Sequence, residues 1–110
     1  MLTKKIIQEV LGKIVDACRT APLSTMKVIV FGSVARNDFD LDSDIDILVV
    51  STNPSESKHY FGNIADELFT EYYVPISILY VTPERLKMGD RFIRNIINEG
   101  KTIWESKKMK

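Results

Sequence analysis

The chain has 110 residues, 45% of them hydrophobic and 27% charged, which fits one globular domain and excludes a fibrous or wholly disordered polymer. Lys+Arg and Asp+Glu both number 15, for a formal net charge of +0, so a protein that coats nucleic acid through bulk positive charge is not expected. The one cysteine, Cys18, rules out an internal disulfide and a thiolate-rich metal site.

Thr3 to Ala21 reads as an amphipathic helix, with Ile6, Ile7, Val10, Leu11, Ile14, Val15 and Cys18 on one face. Cys18 falls on that stripe and reads as a small buried hydrophobe. The N-terminus mixes Lys4, Lys5 and Glu9 among its apolar residues, unlike a secretory leader, and apolar runs such as Val28 to Phe31 are too short to span a bilayer. A cytoplasmic protein with no membrane contact is expected.

Met26 to Phe31 is a β-branched run and reads as a buried strand. Gly32-Ser33 breaks it, and Val34 to Asn37 has room for a helical turn or two. An Asp-rich stretch then leads into a second strand, Ile45 to Val50. Asn53-Pro54 pairs an N-cap with a proline at the first helical position. The helix it opens carries Tyr60, Phe61, Ile64, Ala65, Leu68, Phe69 and Tyr72 on one side. Pro75 to Val81 is a third strand. Thr82-Pro83-Glu84 repeats the start signal and predicts one helix ending at Gly100, lined by Phe92, Ile93, Ile96 and Ile97. Thr102 to Trp104 adds a short last strand, and Glu105 to Lys110 is expected as a flexible tail. The alternation predicts an α/β or α+β fold over 1–110, with helices covering a sheet of three or four strands.

The stretch from Phe31 to Asp46 carries the chemistry. Asp44 and Asp46 stand two apart where the second strand begins, so both carboxylates point the same way, roughly 6–7 Å apart at Cα. Two like charges that close repel unless a cation sits between them. Oxygen-only ligands suit Mg²⁺, which completes its shell with water and phosphate. A glycine at the strand-to-helix turn lets a phosphate approach the backbone, where the next turn offers unpaired N–H donors. Ser33 adds a hydroxyl, and Arg36 lies near enough to bridge a phosphate or the acidic loop. Taken singly, these are an acidic turn, a tight turn and a loop salt bridge. Together, in this order, they describe a metal–triphosphate site: Asp44 and Asp46 as catalytic metal ligands, and Gly32, Ser33 and Arg36 for the nucleotide.

Two rival motifs fail on inspection. Counting an EF-hand from Asp38 puts Ser43 at the glycine position and Val49 at the closing glutamate. The chain has no Gly-Lys-Ser/Thr and no Gly-x-Gly-x-x-Gly, which removes the P-loop and dinucleotide fingerprints.

Gly32-Ser33, ten residues, then Asp44-Ile45-Asp46 resembles the signature of the DNA polymerase β-like nucleotidyltransferase superfamily. Phe31-Gly32-Ser33 with Ala35-Arg36, then Ser43 to Val49, is similar to its minimal nucleotidyltransferase branch, as are Val74 to Glu84 and the Glu99-Gly100 ending. The resemblance implies that superfamily's fold, with a small mixed sheet, and two-metal transfer from ATP or another NTP. Asp44 and Asp46 would hold Mg²⁺, and Ser33 with the following turn would hold the triphosphate, for in-line displacement at the α-phosphate. It further implies an antitoxin that silences a HEPN-domain RNase toxin by attaching AMP to it.

One position departs from the pattern. Complete members of the branch place a third carboxylate on the next strand, where this chain reads Val74-Pro75-Ile76-Ser77-Ile78. A serine hydroxyl is a poor Mg²⁺ ligand and a poor general base at neutral pH. Glu71 and the acids of the Asp-rich loop are the remaining candidates for that role, and none sits on the right strand. Two functions therefore stand side by side: an adenylyltransferase acting on a protein hydroxyl, and a nucleotide-binding antitoxin that works by contact. A metal-binding regulator unrelated to nucleotides would leave Gly32-Ser33 unexplained. His59 is expected on the surface. Tyr60, Phe61, Phe69, Tyr72, Tyr73 and Trp104 are expected in the core or an interface, and Lys107, Lys108 and Lys110 in a solvated tail.

Overall fold

Every helix except the short one after the first strand begins where a short polar side chain takes an otherwise unpaired backbone N–H, a contact worth about 1 kcal/mol. In the computed structural model, which describes residues 2–107, the Thr3 hydroxyl accepts from Ile6 N–H and opens α1 (Lys4–Cys18). Strand β1 (Thr25–Phe31) follows, then the short helix α2 (Gly32–Arg36), which starts directly after the strand. Next comes β2 (Ile45–Ser51), and Asn53 caps α3 (Pro54–Tyr72) with proline at its first position, as expected. Strand β3 (Ile76–Val81) completes the middle of the chain.

The single helix expected after Thr82 is two helices. In α4 (Pro83–Met88) the last turn closes on Gly89, whose φ of +58° suits a residue without Cβ and lets its N–H donate to Arg85 O. Asp90 then starts a new helix, α5 (Arg91–Glu99), by accepting from Ile93 N–H at 2.9 Å. The apolar repeat runs through the break, so periodicity alone does not reveal it. The tail expected from Glu105 does not begin there. Glu105 closes β4 (Lys101–Glu105) and pairs with Lys27, while Ser106 N–H donates to Met26 O. Lys108 and Lys110 lie outside the described residues.

The four strands form one mixed sheet in the order β3-β2-β1-β4, with β1 antiparallel to β2 and β4, and β2 parallel to β3. Helices α1 and α3 cover one face over Val28, Val30, Ile45, Ile47 and Val49. On the other face, α5 lays Ile93 and Ile96 over Ile29, Leu48, Val50 and Val81. Covering both faces explains why β1 and β2 are continuous apolar runs rather than alternating ones. Each Val, Leu or Ile so buried stabilises the fold by roughly 1.5–3 kcal/mol. The α/β class and the helix-covered sheet match the expectation. No helix among the described residues is long and apolar enough to cross a membrane.

Candidate active-site cleft

The topology gathers three strand ends at one edge of the sheet. Antiparallel pairing brings Phe31, the last residue of β1, opposite Asp46, and parallel pairing sets Asp46 beside Ser77. Asp46 and Ser77 therefore share the face that carries α5, at the end this helix leaves open. Asp44 lies just ahead of β2, and its Oδ2 accepts from Ser77 Oγ at 3.4 Å. Ser77 thus stands beside both aspartates.

Gly32 sits in the same corner with φ +71°, in the left-handed region that favours glycine. A Cβ there would overlap Asp46 Oδ2, so the turn depends on this glycine twice, for conformation and for space. Ser33 is half-buried, and among the described residues no group pairs with its hydroxyl. Asp46 is half-buried as well, and no donor among the described residues bonds to its carboxylate. Desolvation pushes its pKa above the ordinary aspartate value, the negative charges of Asp44 and Glu99 add to that, and Arg36 opposes it.

Helix α5 supplies a wall that the sequence motif does not contain. Phe92, Asn95, Ile96 and Glu99 follow one another at i, i+3, i+4 and i+7, and with Phe31, Gly32, Ser33, Arg36 and Asp46 they line a cleft of about 510 Å³. Phe92 is 54% exposed and lines this cleft. Glu99 Oε1 accepts from Gly32 N–H at 3.2 Å and from Arg36 Nη1 at 3.2 Å, while Arg36 Nε also donates to Asp38 Oδ2 at 3.1 Å. Arg36 thus bridges to the acidic loop, and one of the expected anion donors already holds a carboxylate. The i+7 spacing places Glu99 and Phe92 on one helix face but does not say what that face meets.

A model of the nucleotidyltransferase domain matches residues 11–103 of the sequence. The chain belongs to the nucleotidyltransferase family. It is 34% identical over 80 residues to the "putative protein adenylyltransferase" of Methanocaldococcus jannaschii, an alignment covering 71% of this chain and 77% of that one. A solved toxin–antitoxin structure with AMP-PNP shares the fold at TM-score 0.65 and 18% identity, covering 90% of this chain and 76% of the other. So does the tri-AMPylated Shewanella oneidensis HEPN toxin in complex with MNT antitoxin, at TM-score 0.58 and 17% identity, with 93% and 75% covered.

For a nucleotidyltransferase, the donor set at this edge suits a hard divalent ion that keeps several of its own oxygen ligands. Two carboxylates converge, one of them short of hydrogen-bond donors, and among the described residues no cluster of three or more His, Cys, Asp or Glu side chains is formed. Glu71 is remote from this edge in its contacts: it is bound to Lys13 at 2.7 Å across α1 and α3. It does not replace the third carboxylate.

Proposed function

We propose that this nucleotidyltransferase moves AMP from ATP onto a hydroxyl of a partner protein in the presence of Mg²⁺, and that the partner is a HEPN-domain toxin which it neutralises. The observation that carries this reading is Asp46 set against the Gly32 turn at one end of an open cleft, with Asp44 close enough to act on its carboxylate. The resemblance to a protein adenylyltransferase supports the reaction class, and the fold shared with an MNT antitoxin supports the role.

Asp44 and Asp46 are the residues that would hold Mg²⁺, which when bound neutralises phosphate charge and polarises the phosphoryl group. The chain's own groups do the positioning. The unpaired Ser33 hydroxyl donates to a phosphate oxygen, and Arg36 offers a guanidinium to the same group. The open cleft beside α5 leaves room for the nucleoside. The acceptor oxygen bonds to the α-phosphorus, the bond from that phosphorus to the bridging oxygen breaks, and pyrophosphate leaves. The acceptor proton passes to solvent or to a base, and the weak basicity of Ser77 makes this the slow feature of the site.

That weakness favours a second reading, a nucleotide-binding antitoxin that neutralises its partner by contact alone. Co-expression with the product of the neighbouring gene, followed by intact-mass analysis and a toxicity assay, separates the two. A mass gain of AMP on the partner, lost in Asp46→Asn, supports transfer. Neutralisation by wild type and Asp46→Asn alike, with no mass gain, supports contact. Failure to bind or neutralise the neighbour removes both antitoxin readings.

A further inference from the structure

Arg36 is the one cationic side chain lining the cleft among the described residues, and it is already committed. Its Nη1 donates to Glu99 Oε1 and Oε2 at 3.2 and 3.3 Å, and its Nε donates to Asp38 at 3.1 Å. Glu99 also accepts the Gly32 N–H. A carboxylate carried on α5 therefore holds both the guanidinium and a backbone donor that an incoming polyphosphate would seek. We propose that Glu99 is a built-in competitor for the triphosphate, a positioning residue that holds Arg36 until an anion with more acceptor oxygens displaces it. The proposal rests on the assignment of the Gly32–Arg36 segment to the triphosphate.

The physical logic is one of exchange. A guanidinium bonded to two carboxylates has little net attraction left for a third anion, and Glu99 itself repels phosphate oxygens placed nearby. Mg-ATP carries about the same net charge as AMP near neutral pH, but its three phosphates offer more acceptor oxygens to Arg36 and the Gly32 N–H, so it displaces Glu99 more effectively. The arrangement thus biases the site towards the triphosphate substrate and against retaining a monophosphate. Glu99 is partly exposed, with 31% of its side chain accessible, so release into solvent needs no unpacking of α5, which is anchored by Ile93 and Ile96.

The test is calorimetry of Mg-ATP and AMP binding to wild type, Glu99→Gln, Arg36→Gln and the double variant. Glu99→Gln keeps an acceptor oxygen for Gly32 N–H and removes only the charge. It is expected to tighten Mg-ATP binding by about two- to five-fold, the scale of a partly exposed ion pair, with a smaller change for AMP. In the Arg36→Gln background the gain should shrink, because only the direct repulsion by Glu99 is then relieved. Weaker or unchanged Mg-ATP binding by folded Glu99→Gln overturns the proposal, as does a gain that persists undiminished without Arg36. The wild-type protein provides a check that depends on no variant: the Gly32 amide and Arg36 Nε–H resonances should shift on saturation with Mg-ATP and much less with AMP. Resonances that stay fixed while Mg-ATP binds also overturn it. A wild-type protein that binds no Mg-ATP at all instead refutes the underlying assignment of the site, and the competition falls with it.

Discussion

Ser77 Oγ donates to Asp44 Oδ2 at 3.4 Å, and the parallel register sets Ser77 directly beside Asp46. The residue that departs from the family pattern therefore stands within reach of both aspartates, where a third carboxylate would complete the group. Ser77→Asp should speed AMP transfer to the partner, with general-base contributions of about 10²–10⁴-fold as the upper scale. The same change adds a third negative charge, so the metal-free protein should melt lower and gain more from Mg²⁺. Labelled-AMP transfer and thermal melts with and without Mg²⁺ check both halves. A rapid wild-type reaction unaffected by Ser77→Asp would show that another residue supplies the base.

Asp46 is held above its ordinary pKa first by desolvation and then by Asp44 and Glu99. A carboxyl with a raised folded pKa binds its proton more tightly when folded, so metal-free stability falls as pH rises from the unfolded value through the folded one. Above that window the cost is constant, and Asp46→Asn removes it. At pH 7 without Mg²⁺, Asp46→Asn should raise Tm. A gain of up to about 1 kcal/mol, discounted for solvent screening, corresponds to at most about 4–8 °C. The gain should vanish in acid below the unfolded pKa, and the stabilisation of wild type by Mg²⁺ should be lost in the variant.

Gly32→Ala meets two penalties, the φ of +71° and the overlap with Asp46 Oδ2. The expected cost is about 1–3 kcal/mol of stability, with nucleotide binding lost as Asp46 is pushed aside. Urea unfolding and Mg-ATP calorimetry measure the two effects. A variant as stable as wild type that binds Mg-ATP normally would show that the turn tolerates a side chain.

Cys18 lies 3% exposed in the core beneath α1, and burial pushes its thiol up to about 12. The folded protein at pH 8 should resist thiol reagents that label the unfolded chain at once. Labelling rates with and without denaturant provide the comparison, and fast labelling of the native protein would contradict the packing of α1.

Local chemistry made much of this protein legible from its sequence. Polar caps at Asn53 and Thr82 mark helix starts because a side-chain oxygen must meet a backbone donor a few residues on. The β-branched runs mark β1 and β2, and the spacing of Gly32, Ser33, Asp44 and Asp46 anticipates their meeting, since antiparallel strands joined by a short connection bring their facing ends together. The break at Gly89-Asp90 was less legible, because the apolar repeat of α4 and α5 continues across a turn that only a left-handed backbone reveals. Glu99 and Phe92 entered the cleft only through tertiary structure. They lie far along the chain from Gly32, and no local pattern states which face of α5 turns towards it. That choice was made by Ile93 and Ile96, which bury themselves against Ile29, Leu48, Val50 and Val81 and so aim the remaining face of the helix at the open end of the sheet.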